Sequence, residues 1–304
     1  MAWRGVHLIR PARLSLADGQ MVVAQDAEEV RLALEDIAWV VIDTPQATLT
    51  SALLSACMEA GIALVTTDAR HTPSGLTLPF HRHHRQAHVA AIQLAVAKPL
   101  RKRLWARIVA AKIRNQAAVL ERCGRPSAPL ALMVRRVASG DPANVEAQAA
   151  RLYWSRLFTK FVREDAADRR NMLLNYGYAV LRAGVARALV AAGLLPALGL
   201  HHAGGANAFN LADDLLEPFR PFVDEKVWRL SDAGRMRGGE PALEDRHVLA
   251  ALLLDEALLG RERVTLLVAA EHAAESLVRA LEGHSAVLLL LPAPAPERAD
   301  DDTA

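Results

Sequence analysis

Between Gly199 and Pro221 the chain reads GLHHAGGANAFNLADDLLEPFRP. Two adjacent histidines, His201 and His202, precede a Gly- and Asn-rich loop, and Asp213, Asp214 and Glu217 follow on a stretch with helical spacing. With a helix starting near Leu211, Asp213 and Glu217 stand at i, i+4 and Asp214 and Glu217 at i, i+3, so either pair shares a face. Carboxylates are hard oxygen donors for Mg²⁺ or Mn²⁺, and a nearby imidazole tilts the choice toward Mn²⁺. The plainer reading is that acids crowd a first helical turn to meet its dipole, with solvated histidines in a loop. Pro218 bears on both readings, because proline disfavours helical geometry at the residue before it. A second acidic candidate is Glu146 in GDPANVEAQAARLYW, where flanking alanines leave room for a bulky ligand. As an isolated acid in the first turns of a helix it also fits simple stabilisation of the helix N-terminus.

The elements that must position these residues fall into two blocks. Residues 1 to about 85 read as β-rich: GVHLIR, RLSLAD and QMVVAQ alternate in meander fashion, and IAWVVID and IALVTTD are β-branched runs typical of buried strands. Between the last two, TLTSALLSACMEAG has helical spacing and stops at Gly61. From His84 onward the pattern is helical. Pro99 either kinks the first long stretch or starts a second helix, and Gly124 ends it. RPSAPLALMVRRVASG reads as a connection. Asp141 is expected to cap a helix with Pro142 at its first position, running through ANVEAQAARLYWSRLFTKF. RRNMLLNYGYAVLRAGVARALVAAG forms another helix, closing at Gly193, and amphipathic stretches near 243–259 and 263–281 complete the block. The expected class is α+β: a small, sandwich-like β domain (1–85), a larger all-α catalytic domain (86–291) and an acidic, disordered tail (292–304).

The chain has 304 residues, 52% hydrophobic and 23% charged, which is ordinary for a globular protein and excludes a disordered one. Two cysteines, Cys57 and Cys123, make neither a disulfide framework nor a paired metal-ligand spacing. Together with a start that lacks a signal segment, they point to the reducing cytoplasm. No apolar run approaches the ~20 residues of a membrane helix. Net charge is only +2, yet between His81 and Arg125 eleven Lys or Arg face a single acid, Glu121. Such a stretch suits a phosphate backbone or a solvated helix face alike. The histidines at 81, 83, 84 and 88 lack the acidic partner of a catalytic metal site and read as interdomain or DNA-facing. Tyr176 and Tyr178, at helical spacing, read as core.

Three stretches together resemble the CRISPR-associated integrase of spacer acquisition, the Cas1 family: GDPANVEAQAARLYW, RRNMLLNYGYAVLRAGV and LGLHHAGGANAFNLADDLLEPFRPFVD. The likeness spans nearly the whole chain, and the last segment resembles the type II branch. It implies an N-terminal β domain ahead of a helical catalytic domain. Glu146 matches the family's glutamate ligand, His202 its histidine, and Glu217 the type II acid, with Asp214 as competitor and Asp213 also placed where other branches carry an aspartate. His201 then serves as a loop residue or a hydrogen-bond donor behind the ligand. The implied cofactor is Mg²⁺ or Mn²⁺.

The implied reaction is attack of a DNA 3′-hydroxyl on a phosphodiester at a repeat edge, with water in its place giving nuclease activity. Glu146 and His202 are 56 residues apart, and antiparallel packing of the 143–163 and 168–192 helices is what allows them to meet. Arg82, Arg85, Arg101, Lys102, Arg103, Arg107 and Arg114 are candidates to track double-stranded DNA, and Arg220 to bind phosphate. The resemblance further implies a homodimer, a heterohexamer with the small Cas2 protein, and Cas9 as a further associate. A non-catalytic DNA-binding scaffold of the same fold is the alternative, and the intact acid–histidine–acid set argues against it. An unrelated helical hydrolase would need a small-molecule pocket that the sequence does not display.

Overall fold

The β-rich start builds strands β1 (Arg4–Leu8), β2 (Ala12–Ala17), β3 (Gln20–Gln25), β4 (Glu28–Ala33), β5 (Ile37–Ile42) and β6 (Ala47–Leu49), helix α1 (Ser51–Ala60), then β7 (Ala63–Thr67) and β8 (Pro73–Thr77). The structure, a computed structural model of the chain, describes residues 2–26, 28–80, 83–231 and 240–296. Two four-stranded sheets result, ordered β1-β5-β7-β8 and β4-β3-β2-β6. In the first, β1, β5 and β7 run parallel and β8 antiparallel. The meander pattern holds for β2, β3 and β4, whereas β1 leaves it to pair with β5. α1 starts under the Thr50 hydroxyl, which accepts from the Leu53 amide, and ends at Gly61, whose φ of 74° needs the glycine.

β5 (IAWVVI) is buried at every position, as a central parallel strand covered on both faces must be. Ile37, Val40 and Ile42 pack with Leu14, Met21, Val23, Leu53 and Leu64 between the sheets. Ala38, Trp39 and Val41 point the other way into the helical core, and the Trp39 indole donates to the Ala250 carbonyl at 3.0 Å.

The helical block comprises α2 (Gln86–Ala95), α3 (Lys98–Arg122), α4 (Ala128–Val134), α5 (Val145–Leu157), α6 (Arg169–Ala191), α7 (Asn210–Leu216), α8 (Arg220–Leu230), α9 (Leu243–Ala250) and α10 (Leu266–Glu282). Pro99 starts α3 rather than kinking a longer helix, since its missing N–H costs nothing in a first turn. α6 buries residues all round and is the spine on which α7, α8, α9 and α10 pack.

The class read from the sequence holds, with local differences. The segment expected to be a plain connection contains α4. Asp141 is not the cap of α5. Asn144 is, in left-handed geometry, and Asp141 accepts from the Val145 and Glu146 amides from one turn outside. The block is not purely α-helical. The 243–259 stretch stops being helix at Ala250 and ends in β9 (Glu256–Leu259), which pairs with β10 (Glu262–Thr265) and β11 (Ala293–Pro294). We propose the division near residue 85, on the connection between β8 and α2. His81, Arg82 and most of the acidic tail lie outside the described residues. No helix among the described residues is long and apolar enough to cross a membrane.

Candidate metal centre

Glu146 projects from the first turn of α5, which begins under the Asn144 side chain. Glu217 closes α7, where the chain turns through Pro218 into α8. The two carboxylates meet at one cation from a third element: the ammonium of Lys112, on α3, lies 2.6 Å from Glu146 Oε1 and 2.5 Å from Glu217 Oε2. Arg220 Nε reaches the other oxygen of Glu217 at 2.8 Å. Burial alone pushes the Glu217 carboxyl up, but the charges of Arg220 and Lys112 outweigh it and hold the group down at about 2. Lys112 is held protonated: the two carboxylates outweigh the burial that opposes its charge.

His202 is set by the loop before α7. Asp214, wholly buried, accepts from the amides of Leu200 (2.6 Å), His201 (2.9 Å) and His202 (3.1 Å), and from His202 Nδ1 at 2.7 Å. Its oxygens are committed to shaping the loop and fixing one edge of the ring, an arrangement that leaves Nε2 as the nitrogen a ligand could use. The Asp214 hydrogen bond, with the charges of Asp214, Glu217 and Asp213, raises the His202 pKa against the effect of burial. A Cβ at Gly199 would stand 2.2 Å from the His202 carbonyl oxygen, so only glycine lets the loop close. Asp213 pairs with Arg182 (2.8 Å) and with the Asn207 amide (2.8 Å). His201 stacks flat on Trp105, centroids 4.2 Å apart, and Trp105 meets His202 edge-on.

Behind Glu217 lies a buried acid that sequence reading passed over. Asp224, 1% exposed, accepts from the Tyr153 hydroxyl at 3.0 Å and from the Tyr178 hydroxyl. Burial pushes its carboxyl up to about 7, although the two hydroxyls, Arg220 and Lys112 pull the other way. Arg220 lies over the Tyr178 ring, 4.6 Å from its centroid. Tyr178 is thus core, as expected, and also the wall against which Arg220 rests. Lys112 was passed over too. Its signal was a lysine, then Gln116 one turn on, in the otherwise apolar stripe Trp105, Ile108, Val109, Ile113 of α3.

The basic stretch divides by contact. Arg101 spends its guanidinium on the Gly199 (2.9 Å) and Leu200 (3.3 Å) carbonyls, bracing the histidine loop. Arg107 bonds the Leu289 carbonyl, and Arg85 meets Glu282 at 3.3 Å on the surface. Arg103, Lys102 and Arg114 are exposed. Arg114 is eased down in pKa by burial and by Arg107. His83 and His84 lie ring to ring, and His88 faces Glu282 at 3.8 Å. Arg82 lies outside the described residues.

Among the described residues no three His, Cys, Asp or Glu side chains already stand close enough to hold an ion. The donor set nevertheless suits a hard divalent cation: Glu146 and Glu217 close on one positive charge, and an imidazole, His202, is fixed by Asp214 on the loop before α7. Lys112 supplies that charge.

A family model described as CRISPR associated protein Cas1 matches residues 6–257. Over 240 residues the chain is 44% identical to the CRISPR-associated endonuclease Cas1 of Neisseria meningitidis serogroup C, covering 78% of this chain and 79% of that protein. Among solved structures, a casposase bound to its integration product superposes with a TM-score of 0.77 at 17% identity, covering 94% of this chain and 92% of that one. A Cas6-RT-Cas1–Cas2 complex superposes with a TM-score of 0.74 at 18% identity, covering 94% of this chain and 36% of the other. At these identities the structural likenesses establish a shared fold.

Proposed function

The chain belongs to the CRISPR-associated Cas1 family, and from that membership we propose that it is a metal-dependent DNA endonuclease and integrase that inserts new spacers into CRISPR arrays. The observation that carries this is the convergence of Glu146 and Glu217 on one positive charge, and His202, its ring fixed by Asp214, is the third donor of the proposal. Glu146, His202 and Glu217 are the proposed ligands. Three protein ligands leave positions open for phosphate oxygens and water, unlike a site closed by four. A bound Mg²⁺ or Mn²⁺ ion supplies Lewis-acid polarisation of the scissile phosphate and offsets charge on the transition state.

The chain's own residues do the positioning. Asp214 fixes the His202 ring, Gly199 allows that loop to close, and Trp105 and Arg101 support it from below. Arg220 steers one oxygen of Glu217 and leaves the other on the ammonium it shares with Glu146. Glu217 shares its cation with Glu146, whereas Asp214 and Asp213 are turned to loop amides, Arg182 and Asn207, which supports Glu217 as third ligand. The attacking group is the 3′-hydroxyl of an incoming DNA fragment, and the bond broken is a phosphodiester at the repeat edge. Water in its place cuts the strand instead.

The proposed substrate is double-stranded DNA, gripped in a salt-dependent way by residues of the basic stretch, Arg82 together with the exposed Arg85 and Arg103. Arg101 and Arg220 are proposed to add positive charge to this surface while bonding the Gly199 and Leu200 carbonyls and Glu217. The proposed assembly is a homodimer, two of which flank Cas2, in the cytoplasm and in a type II setting where Cas9 joins. The name of one structural relative, a complex containing Cas1 and Cas2, supports the Cas2 part.

The test is a gel assay on a labelled double-stranded fragment and a repeat-bearing plasmid, with Cas2, in Mn²⁺, Mg²⁺ or EDTA. Metal-dependent joining that Glu146→Ala and His202→Ala both abolish, with DNA binding retained, is expected. Full joining in EDTA, or joining that survives both substitutions, would overturn the assignment. DNA binding without joining in any metal would favour the scaffold.

A further inference from the structure

The proposed ligands raise a problem: two largely buried carboxylates that face each other repel, and a metal-free chain has to hold them together. The structure's answer is a lysine. Lys112 comes from the middle of α3, in a stripe that otherwise packs the core, and its ammonium touches Glu146 of α5 and Glu217 of α7 at once. Its side chain is only 11% exposed. Three elements distant in sequence are thereby pinned at a single point.

A divalent ion draws carboxylate oxygens to about 2.1 Å in an octahedral shell, slightly inside the 2.5–2.6 Å at which the ammonium holds these same two oxygens. The carboxylates are therefore pre-set for an ion with little movement. An ammonium and an ion cannot share the space between them, and two cations there repel. One must leave.

A second observation marks where the lysine can go. Gln116, one turn further along α3, is 2% exposed, and its Oε1 is buried with no hydrogen-bond donor among the described residues. A buried amide oxygen left unpaired is costly and asks for a donor. Gln116 and Lys112 line the same cavity of about 200 Å³, together with Trp154, Arg163 and Tyr178. A lysine stem has the flexible carbons to swing from one partner to another, which a forked arginine has not.

We infer that Lys112 is an internal counter-ion: it keeps Glu146 and Glu217 assembled while the site is empty, yields its place to the incoming divalent ion, and is received by the Gln116 side-chain oxygen. This rests on the metal-site reading above. In this role Lys112 is a positioning residue and also a competitor. It makes the ion's affinity weaker than the ligands alone would give, and in exchange the site has its shape before metal arrives.

The test measures Mn²⁺ binding directly, by electron paramagnetic resonance and titration calorimetry on the full chain without DNA. The variants are Lys112→Met, Lys112→Gln and Gln116→Leu, with Glu146→Gln as control. Lys112→Met is expected to bind Mn²⁺ at least about tenfold more tightly than the wild type, the scale on which groups around a metal site tune affinity. Its melting temperature in EDTA falls below wild type, and Mn²⁺ raises it by more than it raises the wild type. Gln116→Leu binds more weakly than wild type, because the displaced ammonium loses its acceptor. If Lys112→Met does not fold in EDTA, Lys112→Gln carries the same expectation. Folded Lys112 variants with unchanged or weaker Mn²⁺ affinity would overturn the counter-ion role, while the metal-site reading stands if Glu146→Gln abolishes wild-type binding. Wild-type binding that ignores Glu146→Gln would remove both.

Discussion

Asp224→Asn isolates the electrostatic cost built into the floor of the site. In the folded chain burial raises the Asp224 carboxyl to about 7, against 3.8 in an unfolded chain. The group is 1% exposed and receives two tyrosine hydroxyls. Between those two values the folded state keeps a proton that the unfolded state has lost, so unfolding releases a proton. Stability therefore falls as pH rises from about 4 to about 7 and levels off above. The shift corresponds to about 4 kcal/mol at pH 8 relative to pH 4. Asparagine has nearly the same shape, carries no charge and keeps a carbonyl to accept one tyrosine hydroxyl. Urea unfolding of both proteins in EDTA at steps from pH 5 to pH 8 reads the difference directly. The variant's stability relative to wild type should climb by about 3 kcal/mol between pH 5 and pH 7 and level off above. A difference that stays flat with pH would show that Asp224 ionises normally, and would refute the argument that burial dominates there.

Gly199→Ala should force the histidine loop open, since its Cβ would lie 2.2 Å from the His202 carbonyl oxygen. Strand joining should fall about 100-fold, as for an ångström-scale misplacement, with DNA affinity in a gel-shift assay little changed. Asp214→Ala leaves three loop amides and the His202 ring without their acceptor. Mn²⁺ affinity by calorimetry should drop about 10- to 100-fold, while Asp213→Ala, which frees only Arg182 and Asn207, should affect it less. Asp43, wholly buried, takes Arg246 at 2.8 Å, His71 at 2.8 Å and His7 at 3.2 Å, tying the first sheet to α9. Asp43→Ala strands Arg246 and should cost about 3–5 kcal/mol in chemical denaturation. Burial works against the Asp43 charge, but the hydrogen bonds from His7, Arg246 and His71 prevail and depress its carboxyl below the normal value of 3.8. Its contribution is therefore present above that pH and lost on acidification below it, and an acid titration of wild type against Asp43→Asn should show this.

The strands and helices were legible wherever periodicity and caps agreed, as for β5, α1 and α6. They were not legible where pairing is decided at a distance. Nothing local in RGVHL says that β1 joins β5 rather than the neighbouring β2. The four-residue β9 and β10 are too short to outweigh the helical pattern leading into them. Within the site, Glu146, His202 and Glu217 were picked out by residue type and motif. The roles of the two aspartates were open, because Asp213 and Asp214 differ only in what the fold brings to them: an arginine of α6 for one, the loop amides for the other. Lys112 was invisible for the same reason. Its partners lie 34 residues away on α5 and on the far side of α6 in sequence at Glu217. A lysine inside an apolar helical stripe was the one mark it left.

The most direct test is anomalous diffraction from a crystal of the chain grown with Mn²⁺. A single strong peak is expected, bonded to one oxygen each of Glu146 and Glu217 and to His202 Nε2, with Asp214 still holding Nδ1 and Lys112 withdrawn from the carboxylates. A peak ligated by Asp213 or Asp214 in place of Glu217, or a Mn²⁺-saturated crystal with Lys112 still bridging Glu146 and Glu217, would contradict it.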